Sequence, residues 1–162
     1  MFPKMRRSKQ ALSPEEMESI LLDGTSGVLA LQGEGGYPYA VPLSYVYTGG
    51  RFYFHCARAG HKIDAVRHSP KASFCVIGQD QVVPEEYTSY YRSVIAFGTV
   101  RILEDDDEIR RAIEALSVKY APEDSPAGRD RVIDRAWDRL CILELTVDHM
   151  SGKQALELVK QD

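Results

Sequence analysis

Three strand-sized apolar runs joined by glycine-marked turns constrain this chain most. Val28-Leu29-Ala30-Leu31 is followed by the turn Gly33-Glu34-Gly35-Gly36, then Tyr39 to Tyr47, the turn Thr48-Gly49-Gly50, and Arg51-Phe52-Tyr53-Phe54-His55-Cys56. Turns of this chemistry reverse a chain within a few residues, so the segment predicts a three-stranded antiparallel meander. Ala72 to Ile77 and the long run Tyr90 to Leu103 predict two further strands, the second bending at Gly98, and Cys141 to Val147 predicts a sixth.

Helical signals sit between these runs. Ser13-Pro14-Glu15-Glu16 is a capping box with Pro at the first helical position, and Met17, Ile20 and Leu21 form an apolar face before Asp23-Gly24. A second helix opens at Gly60-His61-Lys62, carries Ile63, Val66 and Arg67, and stops near Ser69-Pro70. The acidic cluster Asp105-Asp106-Asp107-Glu108 suits a helix N-terminus, and Ile109, Ile113, Leu116 and Tyr120 mark one face of that third helix. A further helix starts near Pro126 and carries Val132, Ile133, Ala136 and Trp137, whereas residues 78–88, polar and containing Pro84, predict a loop. Strands and helices do not alternate regularly, which favours a mainly β antiparallel barrel with added helices over a doubly wound parallel sheet. The expected organisation is one domain over 1–162 with an N-terminal helix and a helical insertion at about 105–138.

Composition removes several function classes. With 44% hydrophobic and 27% charged residues the chain has the makeup of a folded protein, and a net charge of −4 gives no global basic field for a nucleic-acid backbone. No apolar run approaches the roughly 18 residues of a membrane span. Lys4, Arg6, Arg7 and Lys9 are followed by polar residues and the Ser13 helix signal, not a signal peptide's apolar stretch, so a cytoplasmic protein is expected. Cys56, Cys75 and Cys141 each lie in an apolar run, with no CxxC spacing, and read as buried thiols.

Gly33-Glu34-Gly35-Gly36 fails the dinucleotide fingerprint because Pro38 takes the third glycine's place, and phosphate-loop, nucleophile-elbow and zincin motifs are missing. His61 and His68 could share a helix face, but nothing in the sequence completes a metal site around them. Pro38 and Pro42 share one strand parity, so one edge of that strand lacks two amide donors. The edge is either protected against aggregation or left open to a flat heterocycle. Gly60-His61-Lys62 brings helix-start amides, the helix dipole and two potentially cationic side chains together, with Arg58 close by; it is a solvated helix start or a phosphate site.

Taken in order, Gly36-Tyr37-Pro38-Tyr39, Val41-Pro42-Leu43-Ser44-Tyr45, Phe52-Tyr53-Phe54-His55, Gly60-His61-Lys62-Ile63-Asp64, Tyr91-Arg92-Ser93-Val94-Ile95-Ala96-Phe97-Gly98 and Ser151-Gly152-Lys153 resemble the flavin-binding split barrels related to pyridoxamine-phosphate oxidase, specifically their nitroimidazole-resistance branch. The resemblance covers nearly the whole chain and implies a six-stranded antiparallel split β-barrel of Greek-key type that binds FMN. It implies that Val41, Pro42, Leu43, Ser44 and Tyr45 run beside the flavin ring, that Phe54 and His55 pass the cofactor, and that His61 and Lys62 hold its phosphate. Arg92 and Ser93 would reach the flavin of a partner subunit in a homodimer with sites at its interface, and Lys153 would join the cofactor-binding set. His-Lys replaces the oxidase's Arg-Lys, and no match to that enzyme's C-terminal substrate segment is present, so pyridoxamine phosphate is not the expected substrate.

His55 shares a strand face with Tyr53, opposite Phe52 and Phe54, and an imidazole titrating near 6.5 could donate a proton to a nitro or carbonyl oxygen. It is the expected catalytic residue of an FMN-dependent oxidoreductase that takes electrons from NAD(P)H or another donor and reduces a nitroimidazole or similar nitro-aromatic. The alternative is a non-catalytic module that stores or senses flavin, deazaflavin or haem. Both need the same cradle.

Overall fold

A computed structural model describes residues 2–159. Seven strands, β1 (Ser26–Gln32), β2 (Pro38–Ser44), β3 (Val46–Thr48), β4 (Arg51–Cys56), β5 (Lys71–Val83), β6 (Thr88–Ile102) and β7 (Cys141–Gln154), form one antiparallel sheet in the order β2-β1-β5-β6-β7-β4-β3. Four α-helices accompany it: α1 (Pro14–Asp23), α2 (His61–His68), α3 (Asp106–Tyr120) and α4 (Pro126–Ala136).

The expected count of six strands is therefore corrected to seven, and the expected meander to a crossing. Residues 39–47 do not form one strand between two neighbours. The segment breaks at Tyr45: β2 pairs with β1 at one edge of the sheet, and β3 pairs with β4 at the other. The two edges are joined by the chain itself, and no hydrogen-bonded ladder closes the sheet between them.

Burial explains why the break is tolerated. Tyr45 is fully buried, its ring packs against Phe52 and Phe74, and its hydroxyl donates to the Leu21 carbonyl of α1 at 2.8 Å. Its backbone has no strand partner, and the end of α3 supplies one. The Tyr45 N–H donates to the Tyr120 hydroxyl at 2.9 Å, and the same hydroxyl lies within reach of the Tyr45 and Thr25 carbonyls. The Lys119 ammonium sits 4.1 Å from the Tyr45 ring centroid and donates to the Gly24 carbonyl.

Two further expectations are corrected. Residues 78–83 are strand, not loop: β5 continues to Val83, a turn spans 84–87, and 79–83 pair with 88–92. This arm has solvent on both faces, so backbone pairing holds it without an apolar stripe. The last strand likewise runs on past Val147 to Gln154 because β6 pairs with it as far as Arg92. Gly98 marks an irregularity in that ladder; a Cβ there would lie 2.0 Å from the Thr146 carbonyl oxygen, so only glycine allows the strands to approach.

The capping expectations hold. Ser13 and Glu16 form the reciprocal capping box, and Asp105 and Ser125 cap α3 and α4. The main core is aromatic, with Phe52, Phe54 and Phe74 fully buried. A second cluster, Ile113, Leu116, Ile133 and Ile142 among them, holds α3 and α4 on the outside of the β4–β7 pair. Buried Glu144 reinforces this seam by accepting from Arg101 at 2.8 Å, while Arg101 also binds Glu108 of α3.

Removing the Tyr120 hydroxyl leaves the Tyr45 backbone N–H without its partner. Tyr120→Phe is expected to lower stability by about 1–3 kcal/mol. A lower urea midpoint at unchanged slope is the expected result, and an unchanged midpoint means that water replaces the phenol without loss.

Candidate functional site

The site grows from the unpaired edge of β2. The Tyr37 carbonyl accepts from the Gly33 N–H at 3.0 Å, so in this antiparallel register the backbone groups of Tyr39, Val41 and Leu43 face β1. Those of Pro38, Ala40, Pro42 and Ser44 face away. Both prolines put their missing donors on the free edge, which leaves Ala40 and Ser44 as its N–H donors. Side chains alternate in step: Val41 and Leu43 are half-buried against the core, and Pro42 and Ser44 are exposed. Tyr45 and Phe54, both expected at a cofactor, have side chains fully inside the core. For Tyr45 the backbone groups are also taken.

α2 starts beside this edge. Gly60 caps it, and its carbonyl accepts from Ile63 and Asp64, so the His61 and Lys62 amides precede the first helical bonds. The His61 ring lies 6.2 Å from that of Tyr39 on β2. Lys62 is close enough to His55 to depress its pKa, although partial burial of the imidazole is the larger cause. His55 therefore titrates below its ordinary value of about 6.5 and is neutral at pH 7. This moves it away from the unperturbed titration expected of it. Arg58, the third side chain expected here, is turned to the Leu140 carbonyl at 3.0 Å.

Arg92, Ser93 and Lys153 gather elsewhere. Ser93 pairs with Lys153, and Arg92 donates to the Gln154 side chain at 3.3 Å. β6 and β7 stand three and four places from β2, about 14 and 19 Å along the sheet at 4.8 Å per strand. Neither β6 nor β7 pairs with β2. Between them the outward face carries an apolar row, Pro42, Val28, Cys75 and Ile95, in register across four strands. Val28 and Ile95 are exposed, as is Ile77 beside them.

Cys56 and Cys141 are buried and paired across β4 and β7, each a free thiol, and burial pushes Cys56 up to about 12. Cys75 is only half-buried, a departure from its expected place inside. Among the described residues no group of three His, Cys, Asp or Glu side chains could hold a metal ion.

Sequence reasoning missed a cavity of about 680 Å³ between the Gly33–Gly36 turn and α2. Of the expected site residues it includes His61 alone; Asp64, Ala65 and His68 supply the rest of its α2 wall. Their spacing at i, i+3, i+4 and i+7 was the available signal, since it places them on one helix face.

The donor set suits a phosphate-bearing flat cofactor. Lys62 and His61 with two free helix-start amides favour an anion, and the open β2 edge offers alternating carbonyls and two N–H groups to a heterocycle.

The family model described as pyridoxamine 5'-phosphate oxidase matches residues 13–154. No curated protein matches the chain in sequence. Among solved structures, a candidate 5-nitroimidazole antibiotic resistance protein from Bacteroides thetaiotaomicron is 22% identical with a TM-score of 0.76, over 89% of this chain and 86% of that one. A conserved hypothetical protein from Mycobacterium tuberculosis is 16% identical with a TM-score of 0.82, covering 98% and 95% of the two chains. An FAD- and haem-binding protein from Mycobacterium smegmatis is 21% identical with a TM-score of 0.72, covering 95% and 77%. At these identities the likeness is one of fold.

The His55–Lys62 pairing makes a direct prediction. Lys62→Ala removes a neighbouring cation, so the His55 pKa is expected to rise toward 6.5 in an NMR titration; an unmoved value would separate the two residues. Because the unfolded chain takes up this proton first, the stability His55 contributes is complete above about pH 6.5 and declines as pH falls below it. His55→Gln should flatten that acid-side decline.

Proposed function

The chain belongs to the pyridoxamine 5'-phosphate oxidase family, and from that premise we propose that it is a flavin-dependent oxidoreductase acting on a small, flat, electron-poor acceptor. The observation that carries this reading is the meeting of an open, proline-marked edge on β2 with the cationic start of α2. Likeness to the candidate 5-nitroimidazole resistance protein supports a nitro-aromatic as acceptor. NAD(P)H is the donor we assign. A bound flavin would supply the redox chemistry, and the protein would supply orientation, hydrogen bonds and charge.

Lys62, His61 and the helix-start amides hold the cofactor's phosphate, for which FMN is the smallest sufficient flavin. The free edge of β2 holds the ring through the backbone groups of Ala40, Pro42 and Ser44. His55 orients the acceptor as a neutral hydrogen-bond donor at pH 7. It becomes a stronger proton donor only as pH falls through its lowered pKa. A second reading, a flavin- or haem-holding module without turnover, is favoured by likeness to the FAD- and haem-binding protein.

The functional unit we assign is a homodimer. The apolar row on the outward face would be covered by a second copy, and a two-fold axis would carry Arg92 and Ser93 of one subunit to the β2 edge of the other.

Lys62→Ala is expected to weaken FMN roughly 10- to 150-fold, the worth of a charge-assisted hydrogen bond. His55→Ala should keep the flavin and lose roughly 10²- to 10⁴-fold in nitro-aromatic turnover, followed as NAD(P)H oxidation. Wild-type turnover in flavin-loaded His55→Ala removes His55 from the reaction. Absence of turnover in the flavin-loaded wild type, with any donor, favours the holding module.

Sedimentation should give a dimer of about twice the 18.2 kDa chain mass. A monomer holding one flavin per chain would contradict the shared site.

A further inference from the structure

The fold brings two of the three cysteines face to face. Cys56 is the last residue of β4 and Cys141 the first of β7, and they stand directly opposite each other in the antiparallel ladder. The Val147 N–H donates to the Gly50 carbonyl in the same register, so every second pair counted from there, Cys56 and Cys141 included, is of the hydrogen-bonded kind. Such pairs hold their Cα atoms about 5.5 Å apart, within the roughly 4.4–6.8 Å that a disulfide spans. Both side chains project to the core side, with Phe52, Phe54, Leu143 and Leu145. The two thiols are near enough to act on each other: burial is the first cause of the raised Cys56 pKa, and the Cys141 thiol is the next. Cys75 on β5 stands between Val28 and Ile95 instead.

The pair also ends the β4–β7 ladder. Strand ends open at lower cost than strand centres, and the two residues keep a trace of exposure, 8% and 6%, so a small oxidant can reach them without global unfolding. Lys62 lowers the Cys56 pKa against the two causes that raise it, which favours Cys56 as the attacking thiolate once that end opens. Residues 57–60 then lead straight into α2, and Arg58 among them donates to the carbonyl of Leu140, the neighbour of Cys141. The start of α2 therefore hangs from the junction at which the thiols meet.

We propose that Cys56 and Cys141 are a modification site, a reversible disulfide formed by a hydroperoxide that fastens the ends of β4 and β7 at the junction leading into α2. The Cys56 sulfur attacks a peroxide oxygen, the O–O bond breaks, and water leaves with the Cys56 proton. The Cys141 sulfur then attacks the sulfenic sulfur; the S–S bond forms, the S–O bond breaks, and a second water leaves with the Cys141 proton. Two thiols give up two electrons and two protons, and one hydrogen peroxide becomes two waters. A dithiol reductant reverses the change. The crosslink closes a loop of about 85 residues, which restricts the unfolded chain while the folded backbone already has the spacing it needs.

Treating the folded full-length chain with hydrogen peroxide and mapping its peptides by mass without reductant tests the inference. The peptides holding Cys56 and Cys141 should appear joined and lighter by two hydrogen atoms, and dithiothreitol should separate them. The urea midpoint should rise on oxidation and return on reduction. Cys75→Ser should behave as the wild type, whereas Cys56→Ser and Cys141→Ser should each lose both the crosslink and the rise. Survival of both thiols, sulfinic or sulfonic acid in place of the crosslink, or a crosslink made through Cys75 overturns the inference. A Cys56–Cys141 crosslink that leaves the midpoint unchanged or lower overturns the fastening. These outcomes are read on the wild-type chain, whether or not the serine variants fold.

Discussion

The crossing at Tyr45 is the constraint on which the rest of the structure depends. One chain segment leaves the β1 edge of the sheet and joins the β4 edge, and a residue at such a point has backbone groups that no strand can pair. Left unpaired inside a protein, each would cost on the order of 1–3 kcal/mol. The Tyr120 hydroxyl, at the end of a helix 75 residues away in sequence, meets that need from outside the sheet, and Lys119 beside it lies over the Tyr45 ring. The added helices thus hold the crossing in place. With the crossing fixed, β2 keeps one edge free, and that free edge is what a cofactor can use.

Charge decides where on this edge an anion can sit. The chain carries a net −4, so a phosphate must be met locally, and the start of α2 is where free amides, Lys62 and His61 coincide. The same cation acts next door as a second cause: partial burial of the imidazole first, and Lys62 after it, push His55 toward its neutral form. An imidazole in that state orients a partner better than it protonates one. The seam around Glu144 uses the opposite arrangement, a buried carboxylate matched by Arg101 and supported by Arg51, and it fastens α3 to the sheet.

Much of this was legible in the chain. The capping box at Ser13, the proline parity of Pro38 and Pro42 and the face alternation of Phe52 to His55 all carry local signals that the structure reproduces. The crossing carried none, because Tyr39, Val41, Leu43, Tyr45 and Tyr47 alternate without interruption and read as one strand. Period-two patterning reports which face is buried, not which partner each half takes. The arm at 79–92 and the end of β7 were missed for a related reason: with solvent on one or both faces, the apolar stripe that marks a strand fades while backbone pairing persists. The cavity beside α2 was missed because it joins a turn to a helix face across the sheet edge, a juxtaposition that spacing along one element does not reveal.

The central claim is that the β2 edge and the start of α2 form one cofactor cradle. Amide shifts recorded while FMN is titrated into the isotope-labelled protein test it most directly. The account predicts that the Ala40, Ser44, His61 and Lys62 amides move together, while those of α4 stay fixed. Movement confined to the Arg101–Glu144 seam, or no movement at the β2 edge, would contradict it.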